Sequence, residues 1–558
     1  MVKRVFEIVY KEVRGLHQAA YVLGFFALGS QILAIVRDRL LAHEFGAGSE
    51  LDLYYAAFRI PDILYVLFAS TLSVYVLIPF VSSRISNGDA SKARDLLSSI
   101  FSAFLVAYTS LVVVMWVCAP LLLPYLFPGL TGNMDTLVAV MRILLLQPLF
   151  LGVSSLFGVI TQLGHRFVLY AMSPLLYNVG IIVGIIFFYP LWGLEGLAYG
   201  VVLGACGHMA VQIPFVQRSS LTIRFVTDIA WKEVLVVLRV SIPRALTLAL
   251  QQLVLLCLLG IASVMSVGSV SVFQFAFNLQ SVPLAIIGAS YSIAAFPYLA
   301  DLFAQKRMHE FGLHITTVLR HIIFWSVPAV ALLIVLRAHI VRIVLGTGQF
   351  NWADTRLTAA VLALLATSLV AQAVYLLLVR AFYAGSNTRF PFIVTVCGSI
   401  FAIVLTYGLF RLYSESAIFA EYLQISFRLT GVAGAEILII ALGYSIAIWI
   451  QTIILGILAF RTFAIPYTWL YAHVGRSLCA ALVGAFSSYV TLNFFSKGIN
   501  ETAFLGILIQ GFFGGLMGVI GIILTYFVLK SPELHEIYSS FHSRMFRTDI
   551  VAPQEDVL

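Results

Sequence analysis

Charge is what this sequence has least of. Of 558 residues only 10% are charged, 25 acids and 33 bases, too few to coat the surface of a soluble 61.4 kDa globule. Glycine (40) and proline (17) are neither abundant nor periodic, which excludes a collagen-like fibre, and a 61% hydrophobic share excludes disorder. Cysteine is scarce too. Cys118, Cys206, Cys257, Cys397 and Cys479 lie in apolar stretches, with no CxxC pair and no histidine at ligand spacing, so no disulfide scaffold and no metal site is expected. A GxxxxGK[ST] phosphate loop is missing, so ATP would have to bind on a partner. The net charge of +8 is dispersed at one to four bases per loop, not gathered on one face, and no nucleic-acid partner is expected.

What the sequence does have is long apolar runs, with a mean hydropathy of +1.01. Windows of bilayer-spanning length fall near 18–42, 52–82, 97–127, 136–163, 169–189, 195–217, 234–266, 270–300, 315–338, 355–384, 391–411, 431–459, 475–496 and 504–529. These predict an all-α polytopic membrane protein of about 14 transmembrane helices, with the lipid bilayer as its solvent. Cationic loops stay in the cytoplasm. One alternate set of loops holds most of the bases, among them Lys3, Arg4, Arg84, Lys92, Arg166, Arg218, Lys306 and Arg461, whereas the opposite set holds Arg342, Arg411, Arg428 and Lys497. Both termini are therefore expected in the cytoplasm. Residues 1–17 put Val5, Ile8, Val9, Val13 and Leu16 on one helical stripe, reading as a cytoplasmic amphipathic segment along the membrane surface, and 531–558 as a cytoplasmic tail.

An internal repeat appears at one offset. Ala57-Phe58 recurs as Ala276-Phe277, Ser70 as Ser290, Pro79 as Pro297 and Gly164 as Gly385, each at the corresponding place in a span. Two parallel six-helix lobes follow, an N-lobe over 18–233 and a C-lobe over 234–460, with the substrate expected between them. Residues 461–530, spans 13 and 14, lie outside the repeat. Pro61, Pro79, Pro148, Pro243, Pro283, Pro297 and Gly288 mark bends that rocking lobes could use, although ordinary kinking explains any one of them alone.

Ionisable residues at membrane depth are costly, about 2.5–3.5 kcal/mol on insertion scales, so each is a candidate for a transport path. Five cluster early: Arg37, Asp38 and Arg39 in span 1, Asp52 and Arg59 in span 2. The competing structural reading is an ion pair tying span 1 to span 2. An arginine-lined cavity, by contrast, suits an anionic phosphorylated substrate, because the guanidinium fork matches phosphate oxygens. Arg142, Glu195, Arg239, Arg244, Arg320, Arg356, Arg380 and Glu436 are scattered, and several lie close enough to a span end to snorkel.

The run Leu33-Ala34-Ile35-Val36-Arg37-Asp38, then Phe45-Gly46-Ala47-Gly48, Asp52 and Ala57-Phe58-Arg59-Ile60-Pro61, resembles the signature of the lipid II flippases (MurJ/MviN). Pro283-Leu284-Ala285, Ile287-Gly288, Phe296-Pro297 and Gly346-Thr347-Gly348-Gln349-Phe350 are similar to that family as well. The resemblance implies a member of the multidrug/oligosaccharidyl-lipid/polysaccharide (MOP) exporter superfamily, in the bacterial cytoplasmic (inner) membrane. Its fold would be two lobes in a V around a central cavity, plus spans 13 and 14 lining a groove for a polyprenyl tail. It implies a transporter and not an enzyme, a polyprenyl-pyrophosphate-linked glycan as substrate, no cofactor, coupling to membrane potential or a monovalent ion, a monomer, and association with cell-wall synthesis machinery. The substrate-binding residues it implies are Arg37, Asp38, Asp52 and Arg59, with Arg39, Arg244 and Asn278 as weaker candidates. The expected mechanism holds the diphosphate on Arg37 and Arg59, with Asp38 and Asp52 orienting those guanidiniums. The chain departs from the pattern at Gln31, Tyr65 and Asn278, where the family commonly has arginine, and at Ser70, where an acid is usual. A divergent paralogue flipping another lipid-linked glycan, or a MOP small-molecule or cation antiporter, stays open, though an antiporter would want more acids in its spans. A membrane-embedded glycan transferase would need a catalytic carboxylate or histidine under a large outer loop, and the longest, around 411–430, holds only Glu415, Glu421 and Arg428.

Overall fold

The computed structural model describes residues 16–463, 465, 470–496, 503–537 and 539. Nearly all of the expected 1–17 segment, and the tail from 540 onward, lie outside the described residues. Of the described residues 88% are helical and none is in a strand. In hydrocarbon no water is available to satisfy N–H and C=O groups, and a helix pairs them within one segment.

In chain order the helices are α1 (Leu16–Phe45), α2 (Ser49–Ala57), α3 (Arg59–Thr71), α4 (Val74–Ser86), α5 (Ala90–Leu126), α6 (Met134–Leu144), α7 (Leu146–Leu163), α8 (Phe167–Val183), α9 (Tyr189–Ala210), α10 (Ile213–Arg218), α11 (Trp231–Ser263), α12 (Ser269–Pro283), α13 (Ser290–Ala304), α14 (Met308–Leu345), α15 (Trp352–Thr367), α16 (Leu369–Ala384), α17 (Arg389–Glu415), α18 (Ala417–Ser426), α19 (Leu438–Thr462), α20 (Leu470–Ser496) and α21 (Phe504–Val528). Among the described residues ten runs qualify as membrane spans by length and apolarity, or eleven if the pair α15 and α16, bent by 42°, counts as one. The difference from fourteen has local causes. The stretch expected as one span at 52–82 is three short helices broken at Phe58 and at Leu72-Ser73. The stretch expected as two spans at 169–217 runs on as Phe167–Arg218, kinked at Gly193 where φ is +59°.

Packing divides the chain into two compact units. The first holds Met1–Leu279, Val344–Leu364 and Pro391–Ala447. Within it α8 packs on α1 and α9, and α3 on α7 and α11. The α8–α9 seam is backbone against backbone: a Cβ on Gly180 would lie 2.2 Å from the Cα of Gly204, and one on Gly184 2.7 Å from that of Gly200. Glycines four apart on both helices permit that approach, which dispersion then rewards in a solvent as apolar as the side chains. Three serines of α5 hold the connection between α10 and α11. Ser98 Oγ accepts from Arg224 N (3.2 Å), Ser102 Oγ from Val226 N (2.8 Å) and Ser99 Oγ from Ala230 N (3.3 Å).

The second unit holds Gln280–Ile343, Leu365–Phe390 and Ile448–Leu558. The break at Ser368 leaves carbonyls that side chains satisfy: Gln280 Nε2 donates to Leu365 O (2.8 Å) and Trp449 Nε1 to Thr367 O (3.0 Å). Helices α20 and α21 pair along Gly484, Gly518 and Gly521. After α21 the chain turns back and Glu533 is clasped: Arg320 Nε donates to it at 2.8 Å, Ser531 Oγ at 2.6 Å, and His473 Nδ1 stands 2.6 Å away. Tyr526 stacks on Phe324 beside Ala480, with Leu534 and Ile537 against the same cluster.

Burial pushes the Glu533 carboxyl up, but the hydrogen bonds from Ser531 and Arg320 and the charge of His473 outweigh it and hold it below the usual range. A carboxyl depressed in the folded state adds stability above its unfolded value, near 4.3, and loses that contribution as pH falls through the folded value. Glu533→Gln will therefore lower the thermal unfolding midpoint in detergent at neutral pH. The gap from the parent chain will shrink as pH drops below about 4, which scanning fluorimetry across pH will show.

Candidate functional site

The early charges lie in the first unit, and three of the four principal candidates come together. A cavity of about 120 Å³ is lined by Arg37, Tyr54, Arg59, Tyr177, Gln274 and Asn278 among others. At ~30 Å³ per water it has room for about four, the scale of a phosphate group and far below a whole glycolipid headgroup.

Arg37 and Asp38 are sequence neighbours on α1, so their side chains leave the helix at different angles and the arginine must fold back to reach its partner. It does: Nε donates to Asp38 Oδ1 at 2.9 Å and the terminal Nη2 at 2.7 Å. The other terminal nitrogen donates to Asn178 Oδ1 on α8 at 3.1 Å. Asp38 Oδ2 accepts from Asn278 Nδ2 on α12 at 3.0 Å, and Asn278 Oδ1 accepts from Gln274 at 2.7 Å. Arg59, 7% exposed, donates to Tyr55 O (3.2 Å) and stands 3.5 Å from Asp62, one turn along its own helix. Partly buried Arg37 and buried Arg59 thus each stand beside a carboxylate, and both line the one cavity.

Two expectations need correction. Neither ion pair ties span 1 to span 2: Arg37–Asp38 lies within α1 and Arg59–Asp62 within α3. Asp52 orients neither guanidinium, because its carboxylate is spent elsewhere. Its Oδ2 accepts from Gly268 N (2.7 Å), and its Oδ1 from Ser271 N (2.8 Å) and Ser271 Oγ (2.5 Å). A buried carboxylate there satisfies amides at the start of α12 that have no partner inside the helix, and it complements the helix dipole. Arg39 donates to Val344 O at 3.3 Å and does not line the cavity. The side chain of Arg244 lies outside the described residues. Of the departures, Asn278 lines the cavity, whereas Ser70 turns back onto Leu67 O at 3.1 Å.

Around Asp52 the glycine motifs interlock. Gln349 N donates to His43 O (2.9 Å), and His43 Nδ1 meets Thr347 Oγ1 (3.0 Å). Gly348 has φ +55°, and a Cβ there would fall 2.2 Å from His43 O; Gly268, at φ +90°, would put one 2.1 Å from Ala47 O. Only glycine satisfies both conditions. Glu436 Oε1 closes the same end by accepting from Ser266 N (2.9 Å) and Ser266 Oγ (2.5 Å).

Sequence reasoning missed Asn178, Ser30, Asp62 and Glu436 as parts of this arrangement. Asn178 carried a signal, an amide in an otherwise apolar span, and Asp62 stands three residues after Arg59.

Two guanidiniums turned to one cavity among apolar helices are candidate ligands for an anionic group. Solved structures share the fold: a lipid II flippase MurJ in an inward-closed conformation matches at a TM-score of 0.71 and 22% identity, over 91% of this chain and 99% of that one. A multidrug-resistance MATE transporter of the MOP superfamily, inward-facing, matches at 0.64 and 15% identity, over 78% and 94% of the two chains. A probable lipid II flippase MurJ of Rhizobium tropici is 23% identical over 506 residues, 87% of this chain and 90% of the relative. The model of the lipid II flippase MurJ family matches residues 41–509, and the chain belongs to that family. Its members are transporters and not catalysts.

Proposed function

We propose that the chain flips a lipid-linked glycan, lipid II first among them, from the inner to the outer leaflet by alternating access. Family membership over residues 41–509 carries the reading. The site gives it chemistry: Arg37 and Arg59 turn to one cavity, and guanidinium forks match phosphate oxygens in a medium where charge is weakly screened. Asp38 orients Arg37 and Asp62 stands beside Arg59. The polyprenyl tail stays in the lipid, against α20 and α21, whose outward rings include Phe486, Phe494, Phe512 and Phe527.

The finer topology is part of the proposal. Fourteen spans follow if α1 counts as one, α2 to α4 as one broken span, and the run through Gly193 as two; both termini are then cytoplasmic. The protein acts as a monomer, with each half of the repeat one lobe. Its coupling draws on the membrane potential, worth about 2.3 kcal/mol per charge per 100 mV.

A second reading rests on Asn278, which gives Asp38 a neutral amide where the family commonly presents arginine. Each guanidinium stands near one carboxylate, so the site has little spare positive charge, and another lipid-linked glycan is the alternative substrate. Depleting the resident lipid II flippase of a tractable bacterium and expressing this chain separates the two. Survival with lipid II on the outer leaflet is expected; membrane-inserted protein without rescue would move the assignment to the second substrate.

A further inference from the structure

The cavity's chemistry is supported from behind by a side chain no motif includes. Asn178 is 6% exposed on α8 and makes three hydrogen bonds. Its Nδ2 donates to Ser30 Oγ (3.2 Å) and to Pro174 O (3.2 Å), and its Oδ1 accepts from Arg37 (3.1 Å). The amide has one workable orientation: flipped, it would set NH2 against the guanidinium and its carbonyl against the Pro174 carbonyl. Ser30 and Pro174 therefore fix an acceptor in front of Arg37.

That acceptor does something Asp38 cannot. Asp38 holds Nε and one terminal nitrogen, which leaves the guanidinium braced along a single edge. Asn178 braces the other terminal nitrogen from a second helix. Of five N–H groups on the fork, three are then committed, and one hydrogen remains on each terminal nitrogen. Those two N–H groups are donors that phosphate oxygens can still accept from. The brace is also uncharged, so it fixes geometry without cancelling the cation. Ser30, Asn178, Arg37, Asp38, Asn278 and Gln274 form one unbroken hydrogen-bonded chain across α8, α1 and α12.

We propose that Asn178 is a positioning residue that presents Arg37 to the phosphate of the lipid-linked substrate. This rests on the reading of Arg37 as a substrate ligand. The test is a double-mutant cycle on the full-length protein in detergent, reading farnesyl pyrophosphate affinity by native mass spectrometry. Asn178→Ala should weaken binding about ten-fold, the loss expected for one bond to a charged group. In an Arg37→Ala background it should weaken binding no further, because two residues acting through one contact are not additive. Asn178→Asp keeps the acceptor and the shape but adds a second carboxylate against the cation. It should weaken binding more than alanine does at low salt, and it serves if the alanine variant fails to accumulate.

An equal loss in both backgrounds would mean that Asn178 acts independently of Arg37 and would overturn the proposal. Full affinity in Asn178→Ala, in a protein that Arg37→Ala cripples, would overturn it alone. Full affinity in Arg37→Ala would remove the site reading together with this inference.

Discussion

A bacterium kept alive by this chain alone will stop growing when Arg37 becomes alanine, with the protein still present in its membrane. The charge-assisted bonds that Arg37 offers a phosphate are worth about 1.5–3 kcal/mol each, so one lost contact lowers affinity roughly ten- to hundred-fold. The same change strands Asp38, whose side chain is only 11% exposed, beside one neutral amide. Removing one member of a buried pair costs about 3–5 kcal/mol, so some loss of stability is expected as well. Arg37→Lys separates the two effects. It keeps the charge but cannot span Asp38 and Asn178 together, so accumulation should recover while transport stays impaired. Complementation scored beside immunoblotting reads both, and normal growth of the alanine strain at normal protein level would end the role given to Arg37.

The second large effect is expected at Asp52. Asp52→Leu removes an acceptor from two backbone amides and one hydroxyl at the start of α12. Each stranded buried group costs about 1–3 kcal/mol, so this closure loses roughly 2–6 kcal/mol from the two amides alone. Hydrogen–deuterium exchange followed by mass spectrometry will show it: protection across residues 264–275 should fall by about thirty-fold or more, at 1.4 kcal/mol per ten-fold, while the α8–α9 seam keeps its own. Asp52→Asn should fall between, since its NH2 opposes one of the donors it must satisfy. Unchanged protection in the leucine variant would mean that the helix start is held by something other than this carboxylate.

How much of this could be read beforehand depends on what carries the information. The all-helical membrane class followed from composition, because hydrocarbon admits few alternatives. Arg37, Asp38 and Arg59 were legible because charge at membrane depth needs a reason. Gly46 and Gly348 were legible only as a pattern and Gly268 not at all; the cause of all three is contact with backbone far away in sequence. Asp52 was misread for a related reason, since its partners are main-chain amides, which no inventory of side chains displays. Its companion Arg59 turned to Asp62 instead, a choice made by helix geometry at three-residue spacing. Helix breaks were not legible where they fall outside polar loops, as at Phe58 and Ser73, or where one apolar run is kinked at Gly193.

The serines of α5 bear on where movement can begin. The connection from Arg218 to Trp231 has twelve residues between helices, enough to reach about 40 Å if fully extended, and such a tether would transmit nothing. With the amides of Arg224, Val226 and Ala230 pinned by hydroxyls, almost none of that slack exists. The start of α11 is thereby fixed against α5, with Ala230 as the last anchored amide before the helix.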